Sequence, residues 1–259
     1  MVKQHYRKLI VLRLWNSSVY ARVFLGEEQI SVCLIQGRFQ PKIVNKAHFN
    51  FSSKESSTGF IKLKEWLIKN FSGQYIEWIL GIHYVRYMML PWSNQHLKEG
   101  FSTNLARQLF GKQFQQDTNN FEIKISKLEY KQPLIATFFD KNVILAIQEF
   151  VKDSKFKNSF IEPLLGIVWN RFYQQIKSSS SRLAIVDEGR ALIIHQDKGK
   201  INTLSLRPFI NETALINIQK QNTLFFYPTR AENHTAVKYL DIRGIENSAV
   251  FSYSLCGVF

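Results

Sequence analysis

The sequence predicts an α/β protein of two lobes, each opening with an antiparallel meander and continuing into helices and further strands. Three observations predict it. The first fifty residues fall into strand-length apolar or alternating segments separated by turn formers. Helical stripes and short strands then interleave as far as residue 176. After Ser178–Ser181 the strand pattern starts again, which gives an internally duplicated fold with mixed sheets and flanking helices. The serine joint separates a first lobe over 1–178, carrying an inserted subdomain, from a second lobe over 182–259.

The elements follow in order. Leu9–Trp15, Val19–Leu25, Ile30–Ile35 and Lys42–Phe51 read as strands, with turns at Asn16–Ser18, Gly26–Glu28 and Gln36–Arg38. Phe60, Leu63, Leu67 and Phe71 share one helical face, with lysines at 62, 64 and 69 on the others. Ile76–Leu80 and Val85–Leu90 are short strands, the second closed by Pro91. Leu97, Phe101, Leu105 and Leu109 form a second helical stripe that Gly111 is expected to end. Phe121–Ile125 alternates and is expected to pair with Leu134–Phe138. Val143, Ile147, Phe150 and Val151 mark a third helix. Pro163 sits where a first helical turn tolerates it, ahead of the stripe Leu165, Val168, Trp169, Phe172 and Ile176. Leu183–Val186 is wholly apolar, as a central strand requires. Ala191–His195 and Ile201–Leu206 follow it, joined through the turn Asp197-Lys198-Gly199.

Composition narrows the function classes. Among 259 residues, 45% are hydrophobic and 21% charged, which excludes a largely disordered chain. No apolar run approaches the roughly 18 residues of a membrane span. The N-terminus is basic and then apolar, but Arg13 interrupts the run, so it reads as a first strand and not a signal peptide. Cys33 and Cys256 are the two cysteines, and neither forms a CxxC pair or a zinc motif; they read as reduced cytoplasmic thiols. The net charge is +14, concentrated in residues 1–100, where 14 Lys/Arg stand against 6 Asp/Glu. That balance suits an anionic membrane surface, nucleic acid or an acidic partner. The sequence contains no G-x-x-x-x-G-K-[ST] loop, G-x-S-x-G elbow or H-E-x-x-H motif, and His195 reads as a plain strand residue.

A family resemblance rests on several stretches. Leu12-Arg13-Leu14-Trp15-Asn16-Ser17-Ser18-Val19-Tyr20 resembles a phosphate loop written I-D-I-G-S-S-S-V-K in the PilM family. Ala184-Ile185-Val186-Asp187-Glu188-Gly189-Arg190-Ala191 resembles that family's second phosphate loop. Val85–Trp92, Leu109-Phe110-Gly111 and Phe160–Leu165 followed by Asn170 are similar to equivalent stretches of PilM and of the GspL cytoplasmic domain. These are actin-like components of inner-membrane platforms for type IV pili and type II secretion.

The resemblance implies an actin-like, duplicated RNase H-like fold in which two hairpins grip nucleotide phosphates across a cleft. It also marks a departure. Arg13 stands where the family has its aspartate, and Trp15 where it has its glycine, so Mg²⁺ binding and close backbone approach are both lost there. Asp187 and Gly189 remain as residual phosphate contacts, with Arg13 a candidate to neutralise a phosphate in place of the metal. Asp197–Gly199 repeats the D-x-G spacing and reads as a hairpin turn. The family's glycine-rich adenine segment has no counterpart.

The expectation is therefore a non-catalytic scaffold with no cofactor, cytoplasmic and peripheral at the inner membrane. It would bind a short cytoplasmic segment of an assembly-platform protein and touch anionic lipid through its basic half. Two alternatives stand beside it: a weak ATP-binding protein using Asp187, and a nucleic-acid binder.

Overall fold

Aliphatic residues at 19, 21, 23 and 25 make the first described strand, β1 (Val19–Leu25), a central one with a face to each side. The computed structural model describes residues 19–37, 40–52, 56–98, 100–127, 129, 131–152, 154–178, 180–209, 211, 223–228, 237–240 and 249–258. The expected strand Leu9–Trp15 and the loop residues Arg13 and Trp15 lie outside them.

β1 pairs antiparallel with β2 (Gln29–Gln36), which pairs antiparallel with β3 (Lys42–Asn50). On the other side β1 runs parallel to β4 (Tyr75–Leu80), and β4 runs parallel to β8 (Lys157–Pro163). The second half repeats this arrangement. β9 (Ser181–Asp187), β10 (Arg190–Asp197) and β11 (Lys200–Pro208) form the meander, and β12 (Thr223–Tyr227) and β13 (Val237–Tyr239) continue it in parallel. The two sheet orders, β3-β2-β1-β4-β8 and β11-β10-β9-β12-β13, correspond strand for strand. The duplication read from the sequence is thus present as topology.

Between β4 and β8 the first half carries an insertion. β5 (Val85–Leu90), β7 (Leu134–Asp140) and β6 (Phe121–Ile125) form a third, antiparallel sheet in that order. Helix α2 (Phe101–Phe114) packs on it through Ala106 and Phe110, against Phe138. α1 (Ser56–Asn70) and α3 (Lys141–Val151) cover one face of the first sheet, setting Leu63, Leu67, Ile147 and Phe150 against Ala21, Val23 and Trp78.

The other face of that sheet meets the second sheet. α4 (Leu164–Ile176) supplies Leu164, Val168, Phe172 and Ile176 to one apolar cluster holding Phe24 and Ile79 of the first sheet and Leu183, Ile185 and Ile194 of the second. The chain's last described segment closes this cluster. Tyr253, from the short helix α5 (Ser252–Leu255), stacks on Phe24 at 4.4 Å, and its hydroxyl donates to the Val186 carbonyl. Cys256 is buried there beside Leu255, and burial pushes its thiol pKa up to about 11. Residues 249–258 thus bind the first sheet as well as the second.

Three local expectations change. Gly111 does not end its helix; a Cβ there would meet nothing within 4 Å, and the helix runs on to Phe114 before Gln115 turns at φ 52°. Leu97 leaves the helical stripe. It lies 74% exposed in a separate 3₁₀ turn capped by Ser93, because Gly100 at φ 74° breaks the path before α2 begins. Ser181 is no longer part of a joint, since it is the buried first residue of β9.

One ionic contact sits inside this packing. Arg22 on β1 and Glu77 opposite it on β4 lie 3.9 Å apart, each with about 5% exposure, and Arg22 Nη2 also donates to the Cys256 carbonyl at 2.7 Å. Arg22→Met removes the cation beside the buried Glu77 carboxylate and should cost about 3–5 kcal/mol in chemical denaturation. The double substitution Arg22→Met/Glu77→Gln should recover most of that loss. A double variant no more stable than the single one would show that Arg22 acts through Cys256 and not through Glu77.

Candidate functional site

β1 and β4 run parallel in the first sheet, and the loops leaving their carboxyl ends converge with the loop that leaves the carboxyl end of β9 in the second. That crevice is where open α/β sheets place their ligands. The three loops are Gly26-Glu27-Glu28, Gly81-Ile82-His83-Tyr84 and Glu188-Gly189.

The second hairpin is a two-residue loop closed by the pair Asp187↔Arg190. Glu188 and Gly189 have φ of 43° and 76°, the positive values a type I′ turn demands. Glycine adopts them freely, whereas glutamate pays in strain, about 1–2 kcal/mol. The first hairpin closes in the same way, with Gly26 N donating to Gln29 O at 2.8 Å. The duplication therefore sets Gly26 opposite Asp187 in role, and Glu27-Glu28 opposite Glu188-Gly189. Among the described residues, the loop that faces Asp187–Gly189 is Gly26–Glu28.

Glu188 reaches across the crevice. Its carboxylate accepts from the backbone N–H of Glu27 and from that of Glu28, the latter at 3.0 Å. The approach needs glycine, since a Cβ on Gly26 would lie 2.8 and 2.9 Å from the two carboxylate oxygens. Consecutive N–H groups of a tight turn form a concavity suited to an anion, and here a carboxylate of the chain itself occupies it. Burial raises the Glu188 carboxyl above its ordinary value, against the two N–H groups that hold it down.

Asp187 is fully buried at the end of β9. Its Oδ2 accepts from Ile82 N at 3.0 Å and leaves no room for a side chain at Gly81, where a Cβ would lie 2.5 Å away. Its Oδ1 is buried with no hydrogen-bond partner. Burial lifts this carboxyl well above the usual range; the charges of Glu188 and Glu27 add to the effect, and the Ile82 N–H and Arg190 oppose it. His83 is buried between the loops, with Nδ1 against the Glu27 carboxylate and Nε2 3.3 Å from the Asp187 carbonyl. Burial lowers its pKa more than Glu27 raises it. Tyr84 OH donates to Gly26 O at 3.0 Å, and Arg86 Nη1 to His83 O at 2.8 Å.

Beside these loops lies a cavity of about 220 Å³, lined by Ile82, Arg86, Phe114, Leu192, Leu204 and Leu206 among others. It is smaller than the roughly 300–1,000 Å³ of drug-sized ligand pockets. While Glu188 holds the Glu27 and Glu28 N–H groups, they are not available to a phosphate.

Of the residues read from the sequence, Asp187 and Gly189 lie at this crevice, Asp187 buried and Gly189 exposed at the turn tip. Arg13 lies outside the described residues. The sequence reading missed Gly26, Glu27, Glu28, Gly81, His83 and Glu188. The signal that could have found the first three was the duplication itself, since Gly26–Glu28 follows β1 as Glu188-Gly189 follows β9.

Replacing Glu188 tests the crossing contact. Glu188→Ala should cost roughly 1–3 kcal/mol, because two backbone donors lose a charged acceptor. Glu188→Gln keeps one acceptor oxygen and should cost less. Equal stability of all three proteins in urea would remove the contact from the account.

No protein-family model matches the chain, and no curated protein matches it in sequence. Solved structures do match in shape. The cytoplasmic domain of EpsL, an inner membrane component of the type II secretion system of Vibrio cholerae, has a TM-score of 0.60 at 12% identity, over 92% of this chain and 93% of that one. A Bacteroides thetaiotaomicron protein with actin-like ATPase fold and unknown function has a TM-score of 0.60 at 14% identity, over 93% and 96%. The PilM–PilN type IV pilus biogenesis complex contributes a chain at 0.53 and 8% identity, over 75% of this chain and 62% of that one. With its strand order repeated in both halves and its hairpins meeting at one crevice, the chain has the actin-like fold that the resemblance to PilM and GspL implied.

Proposed function

We propose that this chain is a non-catalytic actin-fold scaffold of an inner-membrane assembly platform, binding a cytoplasmic segment of a partner protein. The observation that carries the reading is Glu188, whose carboxylate takes the turn N–H groups that a nucleotide phosphate would need. Gly26 supports it, because it leaves the first hairpin without a counterpart to Asp187 for holding a metal-bound triphosphate. The likeness in fold to the EpsL cytoplasmic domain and to PilM in its complex with PilN supports the scaffold role. Among the described residues no helix is long and apolar enough to cross a membrane, so attachment would come through the partner, helped by the net charge of +14.

Two measurements test this. Purified protein with millimolar Mg²⁺-ATP should show no steady turnover and a midpoint of unfolding unchanged within about 1 °C, where binding at a hundredfold excess over Kd would raise it by several degrees. A saturable rise, or turnover abolished by Asp187→Ala, overturns the non-catalytic reading. In cells of the native host the protein should fractionate with membranes and largely remain there in about 0.5 M salt, which screens lipid charge within a few ångström. A wholly cytosolic distribution overturns the platform reading.

A further inference from the structure

We infer that His83, Asp187 and Glu188 form a site for one divalent transition-metal ion of the zinc type, which ties the second hairpin to the first lobe. One donor atom from each residue lies within 4.8 Å of the others. Tetrahedral ligation at about 2.0–2.2 Å places donors roughly 3.4 Å apart, so small rotations of Glu188 and His83 complete the set.

Two further observations point to a cation. The first is Asp187 Oδ1, which is fully buried beside these donors and has no hydrogen-bond partner. A carboxylate oxygen shut away from water and unpaired is costly unless something positive reaches it. The second is the imidazole of His83. Nδ1 is buried against the Glu27 carboxylate without hydrogen-bond geometry, while the Asp187 carbonyl faces Nε2 at 3.3 Å. A neutral imidazole has one N–H for these two acceptors, so when Nδ1–H goes to Glu27 the Nε2 lone pair points at an oxygen. A cation bound at Nε2 removes that conflict. A carboxylate on the far nitrogen is also how ligating histidines are held and made more basic.

Glu188 remains able to ligate while it caps the first hairpin. A carboxylate has about four lone-pair sites, and the Glu27 and Glu28 N–H groups use two. Glu27, Glu28, Asp187 and Glu188 supply excess negative charge for the ion to neutralise, against Arg86 and Arg190 nearby. The imidazole decides the class of metal. Mg²⁺ and Ca²⁺ take all-oxygen sets, with more ligands than three side chains supply, whereas a nitrogen with two carboxylates suits Zn²⁺, Mn²⁺ or Co²⁺. Asp187 and Glu188 lie on the second sheet's hairpin and His83 on the β4–β5 loop, so the ion is a clip between lobes. The inference extends beyond the scaffold reading and needs no nucleotide.

The test uses the full chain, stripped with a chelator and then titrated with Co²⁺ while its visible absorption is followed. One equivalent should bind, Zn²⁺ should displace it, and Zn²⁺ at a hundredfold excess over Kd should raise the midpoint of unfolding by roughly 5–10 °C. Millimolar Mg²⁺ should produce no shift. His83→Ala should abolish the cobalt spectrum, and Glu188→Gln should weaken binding at least tenfold. Glu27→Gln, which changes no ligand, should weaken it about 10–100-fold through His83. Absence of one-equivalent binding overturns the inference, as does binding that survives all three substitutions or is matched by Mg²⁺.

Discussion

Everything in this molecule depends on the two sheets sharing a single apolar core. Phe24 and Ile79 from the first sheet, Leu183 and Ile185 from the second, and Phe172 from α4 belong to one buried cluster. A core common to two sheets fixes the spacing of the loops at their strand ends. It is also why the last described segment matters, since Tyr253 stacks on Phe24 and bonds to Val186 at once. Each sheet is buried on the face that meets the other, so neither meander is complete by itself. Arg22 and Glu77 sit under the same segment, where the guanidinium holds the Cys256 carbonyl. A charge pair so enclosed contributes orientation more than stability, because desolvation offsets most of its attraction.

The parts of this fold that the sequence disclosed are those with a period. Val19–Leu25 alternates, Leu183–Val186 is continuously apolar, and Leu164–Ile176 carries the widest helical stripe; each becomes the element its pattern implies. The errors came where one residue had to decide. Gly111 looks like a stop, but helix propensity is a weak term, and packing of Phe110 and Phe114 on the small sheet carries α2 past it. Ser178–Ser181 looks like a joint, yet the β9 ladder with β10 claims Ser181, whose hydroxyl is bonded by Gln196.

The site was half legible for a related reason. Asp187 was found because it ends a fully buried strand and is followed by Gly189, a pattern local to a few residues. Its partner Ile82 lies 105 positions away, and the Glu28 N–H held by neighbouring Glu188 lies 160 away, in loops that look ordinary. Nothing in Gly26-Glu27-Glu28 announces that its N–H groups face an acid from the other half. A family motif searched in sequence settles on Leu12–Tyr20, where serines repeat the expected pattern. That stretch lies outside the described residues up to Val19, and among the described ones the hairpin equivalent to β9–β10 is the one after β1. The duplication was visible in outline, and applying it residue by residue would have led from Glu188-Gly189 to Glu27-Glu28.

Glu188 shows how an anion site can be satisfied from within. A free phosphate competing for the Glu27 and Glu28 N–H groups meets three obstacles that add. It must displace a carboxylate already positioned by the fold, whose ordering was completed on folding and not on binding. It must enter beside the Glu27 and Glu28 side chains of the same turn, where like charges repel. It must also reopen a contact for which Glu188 accepts a left-handed backbone. That last feature distinguishes a purposeful contact from an incidental one. In a type I′ loop, asparagine or glycine would fill the position of Glu188 with less strain. Only a side chain of glutamate's length and charge reaches across to both N–H groups, so the strain is offset at the far end of the same residue. The two halves are thus joined through a side chain of the protein itself.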